Sequence, residues 1–263
     1  MTAIKDIKKS ARSSLDNHWA STVAVFCVLL LTVMLIAVAE AVVRYVFDIP
    51  VILDGAYNAS QDSLFVLCGS LLLWFLIVSP VKLSLKGYYC DLIMGKDVSV
   101  SMSFDAFLSI RGYFASLILP VKLTFLRALT VIFFILPQTA LLIFSAYYSS
   151  GELSGQEKTI ITAFFVISGL LILAGLFIAI SVNLGYFLAP YLLITNRAAN
   201  VKQALKTSAK LMKKRKLALV RLTLSMLWMY ILCLPLFSVI FVFPHMSVIK
   251  AGFAMEIINN QPA

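Results

Sequence analysis

Charge is what this chain lacks most. Of 263 residues only 13% are Asp, Glu, Lys or Arg, while 61% are hydrophobic and the mean hydropathy is +0.97. A soluble domain carries about 25% charged and about 45–50% apolar residues, and a chain of this size still turns many positions to water when folded. The shortage excludes an ordinary water-soluble globule and makes lipid the solvent for most of the surface. Histidine is scarce too: His18 and His245 stand far apart. Cys27, Cys68, Cys90 and Cys233 lie singly in apolar segments with no CxxC pair. Metal-ligand spacings are therefore missing, the thiols read as small hydrophobes, and neither metal nor cofactor is expected. Also missing are H-E-x-x-H, G-x-S-x-G, a Walker A loop and clustered carboxylates. No enzymatic activity is expected, and a chain with its own ATP-driven motor is excluded.

What the chain has is long uncharged runs. A helix needs about 20 apolar residues to cross a hydrocarbon core of about 30 Å. Asn17 to Ala39, Leu64 to Val81 and Ala128 to Tyr148 meet that length, the last ending at the turn-like "SSGELSG". Thr159 to Asn196 is uncharged over 38 residues, roughly 57 Å as one helix. Asn183, Gly185 and Pro190 supply a break, so the span is placed near Ile160 to Asn183 with an irregular tail to Thr195. Leu217 to Ile258 reads either as one span and a tail or as two spans turning at Pro235. The "AVA" at Ala37 to Ala39 resembles a signal-peptide cleavage site, but the preceding apolar run exceeds the usual ~7–15 residues. It is expected to be a retained span.

The basic residues are distributed unevenly. With the N-terminus inside and each span switching sides, Lys5, Lys8, Lys9, Arg12, Lys82, Lys86, Lys96, Arg111, Lys122 and Arg127 fall inside. So do Arg197, Lys202, Lys206, Lys210, Lys213, Lys214, Arg215, Lys216, Arg221 and Lys250, leaving only Arg44 and Lys158 outside. Lys and Arg mark cytoplasmic connections, so the N-terminus is expected in the cytoplasm. The dense "KLMKKRK" (Lys210 to Lys216) is then a stop at the inner face. Lys5, Lys8, Lys9, Arg12, Lys210, Lys213, Lys214, Arg215 and Lys216 are the candidates for contact with anionic lipid headgroups, at about 1 kcal/mol each. Without aromatic interleaving, nucleic acid is not an expected partner.

A threefold pattern runs through this single domain, with units at 1–87, 100–197 and 201–258. "IKKSAR" (Ile7 to Arg12) and "LKTSAK" (Leu205 to Lys210) share a layout on amphipathic stretches, and Phe104 to Leu117 is a third such stripe. Each precedes an outward span. The inward spans carry Pro80, Pro190 and Pro244, each followed six or seven residues later by a basic residue. An interior proline removes a helical hydrogen bond, so these positions and Pro137 read as helix breaks. The expected fold is an all-α polytopic transmembrane bundle of six spans, with five left open. Both termini lie inside, and amphipathic helices lie in the headgroup plane or serve as cytoplasmic connectors.

"ALKTSAKLMKKRKLALVRLTLSMLWMYIL" resembles a bacterial family of integral membrane proteins known only as a domain of unknown function. That family's pattern runs A-hydrophobic-x-x-S-x-x-hydrophobic-M-x-G. Ala204, Ser208, Leu211 and Met212 match it, and Lys214 replaces the glycine. Pro244-His245 stands for a Pro-Tyr pair, Phe253-Ala254 for Phe-Tyr, and "ILPQT" (Ile135 to Thr139) for Ile-Ile-Pro-Gly-Ile. The chain is also similar to the membrane portion of some glycerophosphodiester phosphodiesterases, whose catalytic domain it lacks. The resemblance implies a bacterial inner-membrane fold and no activity.

Four polar residues inside or near spans are candidates by position. Glu40 and Arg44, at i and i+4, pair on one face and read as an interfacial anchor. Gln138 and Asn183 need hydrogen-bond partners; they either join two spans or line a cavity at broken helices. Two functions follow. One is a scaffold or accessory protein touching anionic lipid or a membrane partner through a basic face. The other is a small transporter or permease subunit with a polar path near the proline breaks. The oligomeric state stays open.

Overall fold

The computed structural model describes residues 4–49, 61–149, 155–231 and 236–260. All regular structure among them is helical. The chain runs α1 (Ile4–Asp16), α2 (Trp19–Val46), α3 (Gln61–Ile93), a 3-10 turn (Val100–Phe104), α4 (Asp105–Leu108), α5 (Ile110–Phe134) and α6 (Leu136–Ser149). It continues through α7 (Gly155–Gly185), α8 (Ala189–Ile194), α9 (Val201–Met212), α10 (Lys216–Ser225), α11 (Leu227–Ile231) and α12 (Leu236–Asn259). The expected turns at "SSGELSG" and Pro235, and Cys233, lie outside the described residues.

Five stretches are long and apolar enough to cross a membrane: Trp19–Val46, Gln61–Ile93, Ile110–Leu141, Thr159–Ile194 and Ser238–Asn259. They carry exposed apolar side chains such as Leu35, Phe65, Phe133 and Phe177 over much of their surface. Water would penalise that surface by about 25 cal/mol per Å², so the bundle fits a multi-pass membrane protein. Residues 216–231 form two short helices interrupted at Met226, neither of them long enough alone to count among those five.

The buried core gathers at one end of the bundle. It takes Ile7, Ala11 and Leu15 from α1, Tyr88 and Leu92 from α3, Leu188 and Leu192 from the α7–α8 junction, and Val201, Ala204 and Met212 from α9. Ile249, Phe253 and Ile257 of α12 complete it. Ile7 Cγ2 and Ile93 Cδ1 meet over Gly252, each 3.5 Å from where a Cβ would sit. Arg215 donates to the Ile257 carbonyl at 3.5 Å. Residues 7, 93, 215 and 257 thus share one end, which is the basic end of the molecule.

This corrects the picture of α1 and α9 as helices lying apolar face down in the headgroups. Their apolar faces are buried in protein: Ala11, Leu15, Ala204 and Met212 are 0% exposed. Packing against the ends of α3, α8 and α12 satisfies the apolar stripe that would otherwise seek lipid. Phe104 to Leu117 is not one amphipathic helix either. Ser109 is extended there (φ −124°, ψ 121°), and its Oγ accepts the Gly112 N–H at 3.2 Å. That cap starts α5 at Ile110, so the second half of the stripe belongs to a span.

The prolines divide into two kinds. Pro190 opens α8 after the break that follows Gly185, and Pro137 sits in the first turn of α6 beyond the break at Ile135. A proline is tolerated at such a start because its missing N–H would have no partner there. Pro80 and Pro244, expected as breaks, lie inside continuous α3 and α12. For Pro80 the physical reason is visible. The carbonyl it frees, that of Leu76, accepts the Tyr113 hydroxyl from α5 at 3.5 Å, so a neighbouring helix repairs the ladder.

Candidate functional site: a basic end and the cavity beside it

Amphipathic patterning decides where the charges of α1 and α9 point. Because Ile7, Ala11 and Leu15 are buried, Lys5, Lys9 and Arg12 are exposed and Lys8 is half-buried. Lys8 Nζ donates to the Ser225 carbonyl at 2.9 Å, capping the end of α10. On α9 the burial of Val201, Ala204, Leu205, Ser208 and Met212 leaves Lys202, Lys206 and Lys210 exposed. Lys213 and Lys214 follow, also exposed, while Arg215 and Lys216 turn inward to the Ile257 carbonyl and to Ser181 Oγ at 2.7 Å. The proposed headgroup set therefore splits. Lys5, Lys9, Arg12, Lys210, Lys213 and Lys214 face outward and form no ion pair among the described residues. Lys8, Arg215 and Lys216 tie helices together.

Ala204, Ser208 and Met212 are fully buried. Ser208 Oγ donates to the Gly185 carbonyl at 2.8 Å. Gly185 ends α7, where the last carbonyls lack helical partners, so Ser208 closes that end and docks α9 onto it.

The intramembrane polar candidates do not converge. Arg44 donates through Nε and Nη2 to Glu40 Oε1 at 3.0 and 2.9 Å, on the last turns of α2 away from the basic end. Arg44 also reaches Ser63 Oγ at 3.5 Å, tying α2 to the start of α3; the pairing expected from the spacing is present. Asn183 accepts from Arg127 Nε and donates to the Ala179 carbonyl at 3.1 Å, linking α5 to α7. Gln138 sits on α6, beyond the break at Ile135, and its Oε1 is buried with no partner among the described residues. Gln138 and Asn183 share no hydrogen bond among the described residues.

A cavity of about 630 Å³ opens beside the basic end, and sequence reasoning missed it. One wall is the α3 face Leu83, Ser84, Gly87 and Asp91, at the i, i+4, i+8 spacing of a single stripe. The second is α4 and the first half of α5, from Asp105 to Lys122. The third is the turn from Leu193 to Lys202. Asn196 makes that turn possible with φ +53°, a left-handed conformation that Asn tolerates. Arg111 fastens the second wall to the third by donating to the Ala199 carbonyl, and Ser84 Oγ accepts the Ala106 N–H at 2.9 Å to hold the first to the second. Both signs of charge line the space: Asp91 and Asp105 against Arg111, Lys122 and Lys202. Partial desolvation, and then the negative charge of Asp91, hold the Asp105 carboxyl above its ordinary range. None of Gln138, Asn183 or the four candidate prolines lines it.

The family described as protein of unknown function (DUF975) matches residues 1–261, and the chain belongs to it. No curated protein and no solved structure matches the chain.

Proposed function

We propose that this member of the DUF975 family is a non-enzymatic, multi-pass protein of the bacterial cytoplasmic membrane. Its N-terminus is cytoplasmic. It acts as a scaffold or accessory protein whose basic end contacts anionic lipid headgroups. One observation carries the reading: the apolar faces of α1 and α9 are consumed by the bundle core. Their lysines and arginines are thereby held outward on a rigid base, unneutralised among the described residues. Charge held this way keeps its attraction for an anionic leaflet because little side-chain and no helical ordering remains to be done on contact. The distribution of basic residues along the sequence supports the same sidedness.

The test is lipid selectivity in bilayers, read by quenching of Trp19, Trp74 and Trp228 with brominated lipids. Brominated phosphatidylglycerol is expected to displace phosphatidylcholine from the protein, with a preference that falls as salt rises. Lys213→Glu with Lys214→Glu is expected to cut that preference at least fivefold, taking about 1 kcal/mol per basic residue. Equal affinity for both lipids, in the native and the reversed protein alike, defeats the proposal.

A further inference from the structure

The cavity beside the basic end differs from the basic surface in one respect: it holds carboxylates as well as cations. Its volume of about 630 Å³ falls within the ~300–1,000 Å³ of small-molecule sites. Asp91 and Asp105 stand on its α3 and α4 walls, Arg111 and Lys202 on the α5 and α9 walls. Below them the lining becomes apolar at Phe114 and Ile118. That apolar strip does not end in the cavity. Phe114, Ile118, Val121 and Phe125 are all exposed, at 55, 42, 53 and 65%, and their 4-3-4 spacing puts them on one stripe of α5. From Phe114 to Phe125 the stripe is about 16 Å long, and it leads away from the basic end into the apolar girdle of the bundle.

We propose that this cavity binds one phospholipid with a primary-amine headgroup, of the phosphatidylethanolamine class, with its acyl chain along the α5 stripe. Asp91 Oδ1 is already paired with Lys96 Nζ at 2.6 Å, so the ammonium meets Asp105; the phosphate meets Arg111 and Lys202. Charge complementarity selects this class over the alternatives. A purely anionic headgroup would leave Asp105, which has no ion pair among the described residues, without a cationic partner. A trimethylammonium group needs an aromatic cage, and Phe114 is the one aromatic among the cavity-lining residues. A primary ammonium donates three hydrogen bonds, which carboxylates accept. Arg111 spends one donor on Ala199, and a guanidinium has five. Lys122 lies on the same face of α5, and side chains in a helix lean toward its N-terminus, which here is the cavity.

The experiment is native mass spectrometry of the full-length, delipidated protein in detergent with equal amounts of phosphatidylethanolamine, phosphatidylglycerol and phosphatidylcholine. One phosphatidylethanolamine retained per chain, at least tenfold over either competitor, is the expected result. Asp105→Asn and Lys202→Glu, one from each side of the headgroup, are each expected to reduce that ratio at least fivefold, with thermal unfolding confirming the fold of both. Lys213→Glu leaves it unchanged, which separates this site from the basic surface. Three results overturn the proposal: equal retention of the three lipids, a ratio that survives both cavity substitutions, or displacement by an equal concentration of soluble phosphoethanolamine.

Discussion

At the scale of single residues, Ser208 shows how a sequence pattern and a physical role come apart. Its spacing from Ala204 and Met212 is visible in the chain, and it places all three on one helical face. That the hydroxyl closes the Gly185 carbonyl at 2.8 Å is not visible, because the partner lies 23 residues upstream across a turn. Ser208→Ala removes the donor and leaves a buried carbonyl unpaired, a loss of about 1–3 kcal/mol. Thermal unfolding in detergent should show the protein destabilised accordingly, and an unchanged midpoint would mean that water replaces the hydroxyl. Glu40 and Arg44 are the opposite case. Their pairing is local, one helical turn apart, and so the sequence sufficed to predict it.

Among the elements, the breaks and close approaches were only half legible. α7 ends at Gly185, close to where the residues said it would, but the tail expected to be irregular holds the helix α8, which Pro190 opens. Pro80 does not break α3, because what a proline does in a membrane helix depends on whether a neighbour reaches the freed carbonyl; Tyr113 reaches it from a different helix. Gly175 matters for a reason of the same kind. A Cβ there would stand 2.7 Å from the Phe134 carbonyl oxygen, at the point where α5 gives way to α6. Gly175→Ala must push α7 off that junction and is expected to cost about 1–3 kcal/mol. Gly169, six residues earlier, has no atom within 4 Å of its would-be Cβ. Gly169→Ala should be neutral or stabilising by up to about 1 kcal/mol through helix propensity alone. A pair of unfolding curves distinguishes the two glycines, which look alike in sequence.

For the molecule as a whole, the fold class and the basic end could be read from composition and charge, since both are sums over many residues. The cavity could not. Its walls come from residues 83–91, 105–122 and 193–202, and no short motif records that these three stretches meet. The amphipathic faces of α1 and α9 were legible, but their occupant was not, because a stripe of apolar residues does not say whether lipid or protein will cover it. The packing does make a firm statement about topology. Ile7 meets Gly252 and Arg215 meets Ile257, so the start, the 213–216 connection and the end of the chain share one side. Reporter fusions at the N-terminus, after Lys214 and at the C-terminus should all give the same answer; a C-terminal reporter on the opposite side would refute this arrangement.

The docking of α1 on α12 also orders events in time. α1 finds its principal seat on α12, which is synthesised some 240 residues later. Chains that stop before α12 would present α1 with its greasy stripe uncovered, offering quality-control proteases a ready mark.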